Sequence, residues 1–220
     1  MSFKNIFKFL IDLKLNNNRT WFKENYERYQ YVKTEFEEFI DMLIPKVKKF
    51  DNEIDVISSK ECAFRIYRDV RFSKNKEPYK SNFGAFIAKG GRKSPYAGYY
   101  VHIEPDKSFI GGGIYMPPPD ILRLLRLEIF ENTKKFKIII NDTTFKKYFK
   151  EIYGDKLISA PKGFPKEFPD IDLLKYKDYT VIHNTKNSFW TSEKLLNNLI
   201  DIFKVQHPFN QFLNVAIDRI

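Results

Sequence analysis

The hydrophobic period of this sequence changes twice, from helical to alternating and back, and neither an all-α nor an all-β fold accommodates both periods. Phe3, Ile6, Phe7, Leu10 and Leu13 recur at helical spacing, and Asn16, Asn17 and Asn18 then form a turn cluster. A second helix begins at Thr20 and carries Trp21, Phe22, Tyr26, Tyr29, Val32, Phe36, Phe39, Ile40 and Leu43 on one broad stripe until Pro45 interrupts it. The middle of the chain alternates instead. Phe64 and Ile66 alternate with Arg65 and Tyr67, and further strands are expected over Phe83 to Ala88, Tyr99 to Ile103 and Phe109 to Tyr115. The Glu104-Pro105-Asp106-Lys107 turn predicts an antiparallel hairpin. Pro117, Pro118 and Pro119 end the last of these strands and start a helix through Ile121, Leu124, Leu125 and Ile129. Helix is expected again over Thr144 to Tyr153, and a loop over Ala160 to Pro169. A strand is expected over Asp178 to His183, and a closing helix over Thr191 to Val205 with a further turn after Pro208.

This order predicts an α+β fold, a mainly antiparallel sheet flanked by helices, with a long N-terminal and a C-terminal helix. With 220 residues, 43% of them hydrophobic and 17% aromatic, the chain can bury a sizeable core and is not disordered. There is no internal repeat and no Ser/Gly linker, so residues 1–220 are read as a single domain. The longest stretch without Asp, Glu, Lys or Arg runs only from Val205 to Ile217 and contains Gln206, His207 and Pro208, so no membrane span is expected. Lys4, Lys8, Asp12 and Lys14 interrupt the apolar positions of the first helix, which argues against an export signal. The single Cys62 can close no intramolecular disulfide and build no cysteine zinc site, and a reducing cytoplasm is the expected compartment.

Net charge is +10, but with 9 Arg against 29 Lys in a chain rich in Asn, Ile, Phe and Tyr, part of the excess reflects codon usage. Its distribution says more. Residues 60–93 hold ten Lys or Arg against Glu61, Asp69 and Glu77, which is +7 of the +10.

Within that stretch, Phe64 to Lys80 reads FRIYRDVRFSKNKEPYK and places three of the nine arginines in seven positions. Arginine in a Lys-rich chain points to a need for guanidinium, whose planar fork grips a carboxylate or phosphate with two parallel hydrogen bonds. On an extended strand Arg65 and Arg71 would lie roughly 20 Å apart at about 3.3 Å per residue, so they converge only if the chain curls beyond Tyr67. Ser73, Lys74 and Asn75 are turn formers at the right place. The expected ligand-binding residues are Arg65, Arg68, Arg71, Lys76 and Tyr79, with Asp69 either orienting an arginine or serving as a general base. The competing structural account makes Arg65, Arg68 and Asp69 an internal ion-pair network that pins the sheet to the helices.

The same segment resembles a widely distributed, mainly bacterial family of about this length, known as a conserved domain of unknown function with the pattern R-x-x-R-D-x-R-F-x-x-x-K-x-x-Y. Arg65, Arg68, Asp69, Arg71, Phe72, Lys76 and Tyr79 match that pattern without a departure, and Asn75 stands where the family places Asp or Asn. The resemblance extends to Asn17-Asn18-Arg19-Thr20-Trp21-Phe22, Gly111-Gly112-Gly113-Ile114-Tyr115-Met116-Pro117 and Pro161-Lys162-Gly163-Phe164. It implies a fold and a shared site, and no activity or cofactor.

Other candidate sites are weaker. Gly111 to Gly113 precede a helix as phosphate loops do, but Pro117, Pro118 and Pro119 remove three of the backbone donors such a loop needs. The glycines are better explained by a bulge or a close backbone approach in the sheet. His102, His183 and His207 show no helical metal spacing, and His102 with Glu104 on one strand face is a faint zinc signal, so no metal is expected. Cys62 lies beside cations able to lower a thiol pKa. Tyr96, Tyr99 and Tyr100 near Lys89, Arg92 and Lys93 suit either base stacking or ordinary strand packing.

Three functions follow from this reading. The first is an enzyme or binding protein for a small phosphorylated or carboxylated anion. The second is a nucleic-acid-binding protein using Lys74, Lys76, Lys80, Lys89, Arg92 and Lys93, and the third is an interaction scaffold. An acid embedded among arginines suits a compact pocket better than a nucleic-acid surface, and places the small anionic ligand first.

Overall fold

The computed structural model describes residues 3–219. Helix α1 (Lys4–Leu15) is followed by α2 (Arg19–Glu24), α3 (Tyr26–Lys48) and the single turn α4 (Ser59–Cys62). Strands β1 (Phe83–Ile87), β2 (Gly98–Ile103) and β3 (Phe109–Ile114) follow, then α5 (Pro119–Glu131), α6 (Thr133–Asn141), α7 (Thr143–Phe149) and α8 (Ile171–Leu174). Strand β4 (Tyr179–Asn184) and the turn α9 (Asn187–Trp190) precede α10 (Leu195–Ile217). The four strands form one sheet in the order β1-β2-β3-β4, antiparallel throughout. The fold is therefore α+β with an antiparallel sheet between N-terminal and C-terminal helices.

Alternation along the strands divides the sheet into two faces. Phe83, Ala85, Ile87, Tyr99, Val101, Ile103, Ile110 and Val181 are buried and join one hydrophobic cluster with α1, α3, α5 and α10. On the opposite face, Phe86 pairs with Tyr100, which pairs with Gly111, and Gly111 pairs with Ile182. In the neighbouring row Gly84 pairs with His102, and His102 with Phe109.

The helices run past both prolines that the sequence marks as breaks. Helix α3 continues through Pro45 to Lys48, and α10 is unbroken through Pro208 to Ile217. An interior proline costs a hydrogen bond and a steric clash, but Leu43, Ile44 and Val47 around the first, and Phe203, Phe209, Phe212 and Leu213 around the second, are all buried. Side-chain burial worth about 1.5–3 kcal/mol each outweighs that cost. The long first stripe is also divided: Asn25 separates α2 from α3. The expected strand at Phe64 to Tyr67 is reduced to isolated bridges, Ala63 to Ala85 and Tyr67 to Tyr79. The two bridges lie four residues apart on one side and six on the other, so they cannot join into one regular ladder, and the Tyr79 N–H and C=O, which face away from Tyr67, bond to the Asn17 side chain at 3.2 and 3.1 Å.

The glycine run lies within β3, where it permits a close approach. Gln206 and Asn210, both buried in α10, donate to the Gly98 carbonyl at 2.9 and 3.1 Å. A Cβ on Gly112 would sit 1.9 Å from that carbonyl oxygen and 2.2 Å from the Gln206 amide nitrogen. These three residues fit together only while position 112 has no side chain. Among the described residues no helix is long and apolar enough to cross a membrane.

Candidate functional site

The open face of the sheet floors a cavity of about 700 Å³. Phe86, Tyr100, His102, Phe109 and Ile182 come from the strands, Phe64, Lys80 and Asn82 from the segment before β1, and Arg92, Ser94 and Tyr96 from the loop after it. Tyr115 and Tyr153 close the far side. The walls are mostly apolar and aromatic, with Phe64 edge-on to Tyr100 at 6.2 Å and Phe109 stacked on the His102 ring at 4.4 Å.

The Arg-rich segment folds back on itself. The Arg68 N–H donates to the Pro78 carbonyl and the Lys80 N–H to the Ile66 carbonyl, at 2.9 and 2.8 Å, so residues 69–77 form an excursion from the sheet. At its outer end Arg71 grips Asp69 with two parallel bonds, Nε to Oδ1 at 3.0 Å and Nη2 to Oδ2 at 2.7 Å. The guanidinium holds the Asp69 carboxyl below the ordinary carboxylate range. Lys76 donates to the Val70 carbonyl at 3.0 Å, Arg68 pairs with Glu77 at 3.4 Å, and Phe72 is 95% exposed.

Tyr79 points the other way, into the core. Its ring stacks on Phe22 at 3.9 Å and 10°, and Phe22 belongs to α2, whose N-terminus Asn18 caps by accepting from the Trp21 N–H at 2.9 Å. Two stretches remote in sequence, Asn17 to Phe22 and the end of the arginine segment, thus meet at Tyr79.

Of the expected site residues, then, Arg71, Asp69 and Lys76 lie on the exposed excursion, Arg68 is partly covered by its pair with Glu77, Arg65 is exposed, and Tyr79 is buried. None of the six lines the cavity; Phe64 and Lys80, at the two ends of the segment, do. Lys80 is the electrostatic link. Burial holds its ammonium below the ordinary lysine value, and Arg65 and Arg68 lower it further. Its Nζ stands 5.7 Å from the centre of the Phe64 ring, and no carboxylate pairs with it among the described residues.

A feature that the sequence hinted at only through the spacing of His102 and Glu104 is a chain of polar groups that starts from Tyr100 and His102 in the cavity wall. Tyr100 Oη lies 3.0 Å from His102 Nδ1, and His102 Nε2 lies 3.2 Å from Glu104 Oε2. Ser81 Oγ donates to the other Glu104 oxygen at 3.0 Å. Burial holds the His102 imidazole below its ordinary pKa; Glu104 works against that effect and Lys80 with it. Burial also raises the Tyr100 phenol, with Glu104 adding to the rise.

Cys62 is not activated by the cations near it. Burial pushes its thiol up to about 12 and Glu61 adds to this, against the lowering influence of Arg92. Among the described residues no three His, Cys, Asp or Glu side chains are grouped to hold a metal ion.

An α+β protein with an aromatic cavity on the open face of an antiparallel sheet, edged by an arginine-rich excursion, is what the fold and site define. The chain belongs to a family described as conserved hypothetical protein, DUF2461, whose model matches residues 5–212. No match is found among curated proteins or among solved structures.

Proposed function

We propose that the protein binds a small organic anion in this cavity, its body against the aromatic walls and its negative group at Lys80, with Arg65 and Arg68 reinforcing the positive field. The observation that carries this reading is Lys80 itself: a cation drawn partly out of water, beside two further cations, with no carboxylate partner among the described residues. Desolvating a charge costs free energy unless an opposite charge is supplied, and an anionic ligand supplies it. The motif enters as a scaffold. Tyr79, stacked on Phe22, anchors the chain beside Lys80, Arg65 and Arg68 shape the field, and Asp69 fixes Arg71 on the excursion.

Calorimetry and thermal-shift titration with phenyl phosphate, benzenesulfonate, benzoate and inorganic phosphate test the proposal. Phenyl phosphate is expected to stabilise the wild type and to lose that effect in Lys80→Met, whereas Arg71→Ala leaves it intact. Stabilisation by none of the four probes overturns it.

A second reading rests on the excursion, where fully exposed Phe72 stands among Arg71, Lys74 and Lys76 as a stacking residue stands in a basic surface. Nucleic-acid binding there would lose affinity with salt at a slope of about −0.9 per phosphate contacted on a duplex. Fluorescence anisotropy with mixed-sequence DNA and RNA at two salt concentrations decides, and no binding at low salt removes this alternative.

A further inference from the structure

We propose that Tyr100, His102 and Glu104 form a proton-gated hydrogen-bond switch in the cavity wall, so that the anion is taken up together with one proton and Tyr100 becomes its donor. The inference rests on the cavity being the anion site.

The geometry fixes the two settings. With neutral His102, the Nε2–H donates to Glu104 at 3.2 Å, which leaves Nδ1 as an acceptor for the Tyr100 hydroxyl at 3.0 Å and, more weakly, for the Asn82 amide at 3.4 Å. The phenolic hydrogen is then committed to the imidazole. When a proton from solvent arrives at Nδ1, the bond reverses: Nδ1–H now donates to Tyr100 Oη, the Asn82 amide releases the ring, and the phenolic O–H is free to turn into the cavity. Tyr100 loses no proton. It exchanges one hydrogen-bond partner for another, and the new partner is an oxygen of the ligand, which a phenol can also serve as general acid.

The surroundings bias the switch correctly. The charged and titratable groups facing His102 are Glu104 on its own strand, Tyr100, and Lys80 from the segment before β1. Farther round the cavity stand Arg92, Tyr96, Tyr115 and Tyr153. Burial and Lys80 keep the empty site's imidazole neutral near pH 7. An anion at Lys80 cancels the cation that opposes protonation, and Glu104 then holds the imidazolium. The Tyr100 hydroxyl can lie where it does because residue 84 is glycine, since a Cβ there would stand 2.5 Å from Oη.

The test is isothermal titration of the full chain with benzenesulfonate, which carries no titrating proton of its own between pH 5.5 and 8. Titrations in buffers of different ionisation enthalpy count the protons. The wild type is expected to take up a proton on binding, most fully at a pH between the imidazole's own pKa and its value in the complex, with affinity falling by up to about tenfold per pH unit within that range. His102→Asn should still bind, with no proton uptake and a flat pH profile. Tyr100→Phe and Gly84→Ala, which remove or displace the donor, should bind about tenfold more weakly below pH 6 while the far-UV spectrum is unchanged. Glu104→Gln should move the proton-uptake range to lower pH. Binding by the wild type without proton uptake at any pH, or a wild-type pH profile in His102→Asn, overturns the switch and leaves the anion pocket standing. Absence of binding by the whole probe panel refutes the pocket, and the switch with it.

Discussion

Tyr99 and Tyr100 are neighbours on β2, yet alternation sends their rings to opposite faces of the sheet, and removal of the two hydroxyls should have opposite kinds of consequence. The Tyr99 hydroxyl donates to Asp51 Oδ2 at 2.7 Å and lies 2.8 Å from His207 Nδ1, which is itself 3.4 Å from the same carboxylate oxygen. Tyr99 and Asp51 are both buried. In Tyr99→Phe the carboxylate keeps its bond from the Glu53 N–H at 3.2 Å and its contact with His207, but loses a charge-assisted hydrogen bond where water has little access. Such a bond is worth about 1.5–3 kcal/mol. For a chain of this size each kcal/mol moves the melting temperature by about 2–4 °C, so a fall of roughly 3–12 °C is expected near pH 7. The pH dependence adds a second check. Burial alone would raise the Asp51 carboxyl, but the hydrogen bonds from His207 and Tyr99 outweigh it and hold the group below its ordinary value. A depressed carboxyl contributes stability that is present above its unfolded pKa of about 3.9 and is lost as the pH falls through the native value. The gap between wild type and Tyr99→Phe should therefore narrow in acid. Thermal unfolding followed by circular dichroism from pH 7 to pH 3 measures both. A gap below about 1 °C at pH 7, or one that widens in acid, would refute the reasoning.

Other outcomes follow from the same contacts. Asp69→Ala and Arg71→Ala should leave the melting temperature unchanged in differential scanning fluorimetry, since their pair is exposed; a large loss would restore a structural ion-pair network. Gly112→Ala should destabilise by about 3 kcal/mol, the upper end of overpacking costs, read as a lower urea midpoint, because the added methyl meets backbone and a buried amide. Cys62 should resist Ellman's reagent in the native protein at pH 8 and react on unfolding, as its thiol is buried and pushed up to about 12. His102 is depressed in the fold, so its contribution to stability is present above the unfolded value of about 6.5 and is lost as the pH falls below it. His102→Asn should accordingly lose less melting temperature than wild type between pH 7.5 and 5.5, with no anion present.

Periodicity was a sound guide wherever one face of an element meets the core. The stripe from Val32 to Leu43 and the alternation from Tyr99 to Ile103 are buried as their patterns require. It misled where a tertiary partner supplied what the local pattern could not show. Pro45 and Pro208 end helices on local grounds, and only the burial of side chains from remote elements carries α3 and α10 past them. Phe64 to Tyr67 alternates as a strand does, but it pairs only at isolated points because its backbone bonds are divided between Gly84 and the Pro78 to Lys80 stretch, in two registers. The helix Thr133–Asn141 carries no periodic signal, because Phe136 is its one buried residue where such a signal needs three or four.

The candidate site was half legible for a related reason. Arginine density marks a segment chemically, but whether a side chain faces a cavity, a neighbour or solvent depends on where the chain reverses, and the reversal beyond Arg68 sends Arg71 outward to Asp69. Lys80, one of 29 lysines, carried no signal of its own until the fold placed it beside Arg65 and Arg68 in an aromatic wall. The spacing of Tyr100, His102 and Glu104 did hold information: residues two apart on a strand share a face, so three polar groups in alternate positions on a sheet otherwise lined by Phe86, Phe109 and Ile182 are either solvent-facing or joined. The Tyr99 cluster shows what a joined set looks like when it is paired and closed, with Tyr99 and Asp51 buried. The Tyr100 set has the same residue types, a phenol, an imidazole and a carboxylate, but it borders a cavity and a cation without a carboxylate partner, and that difference in surroundings is what the proposed proton-gated switch rests on.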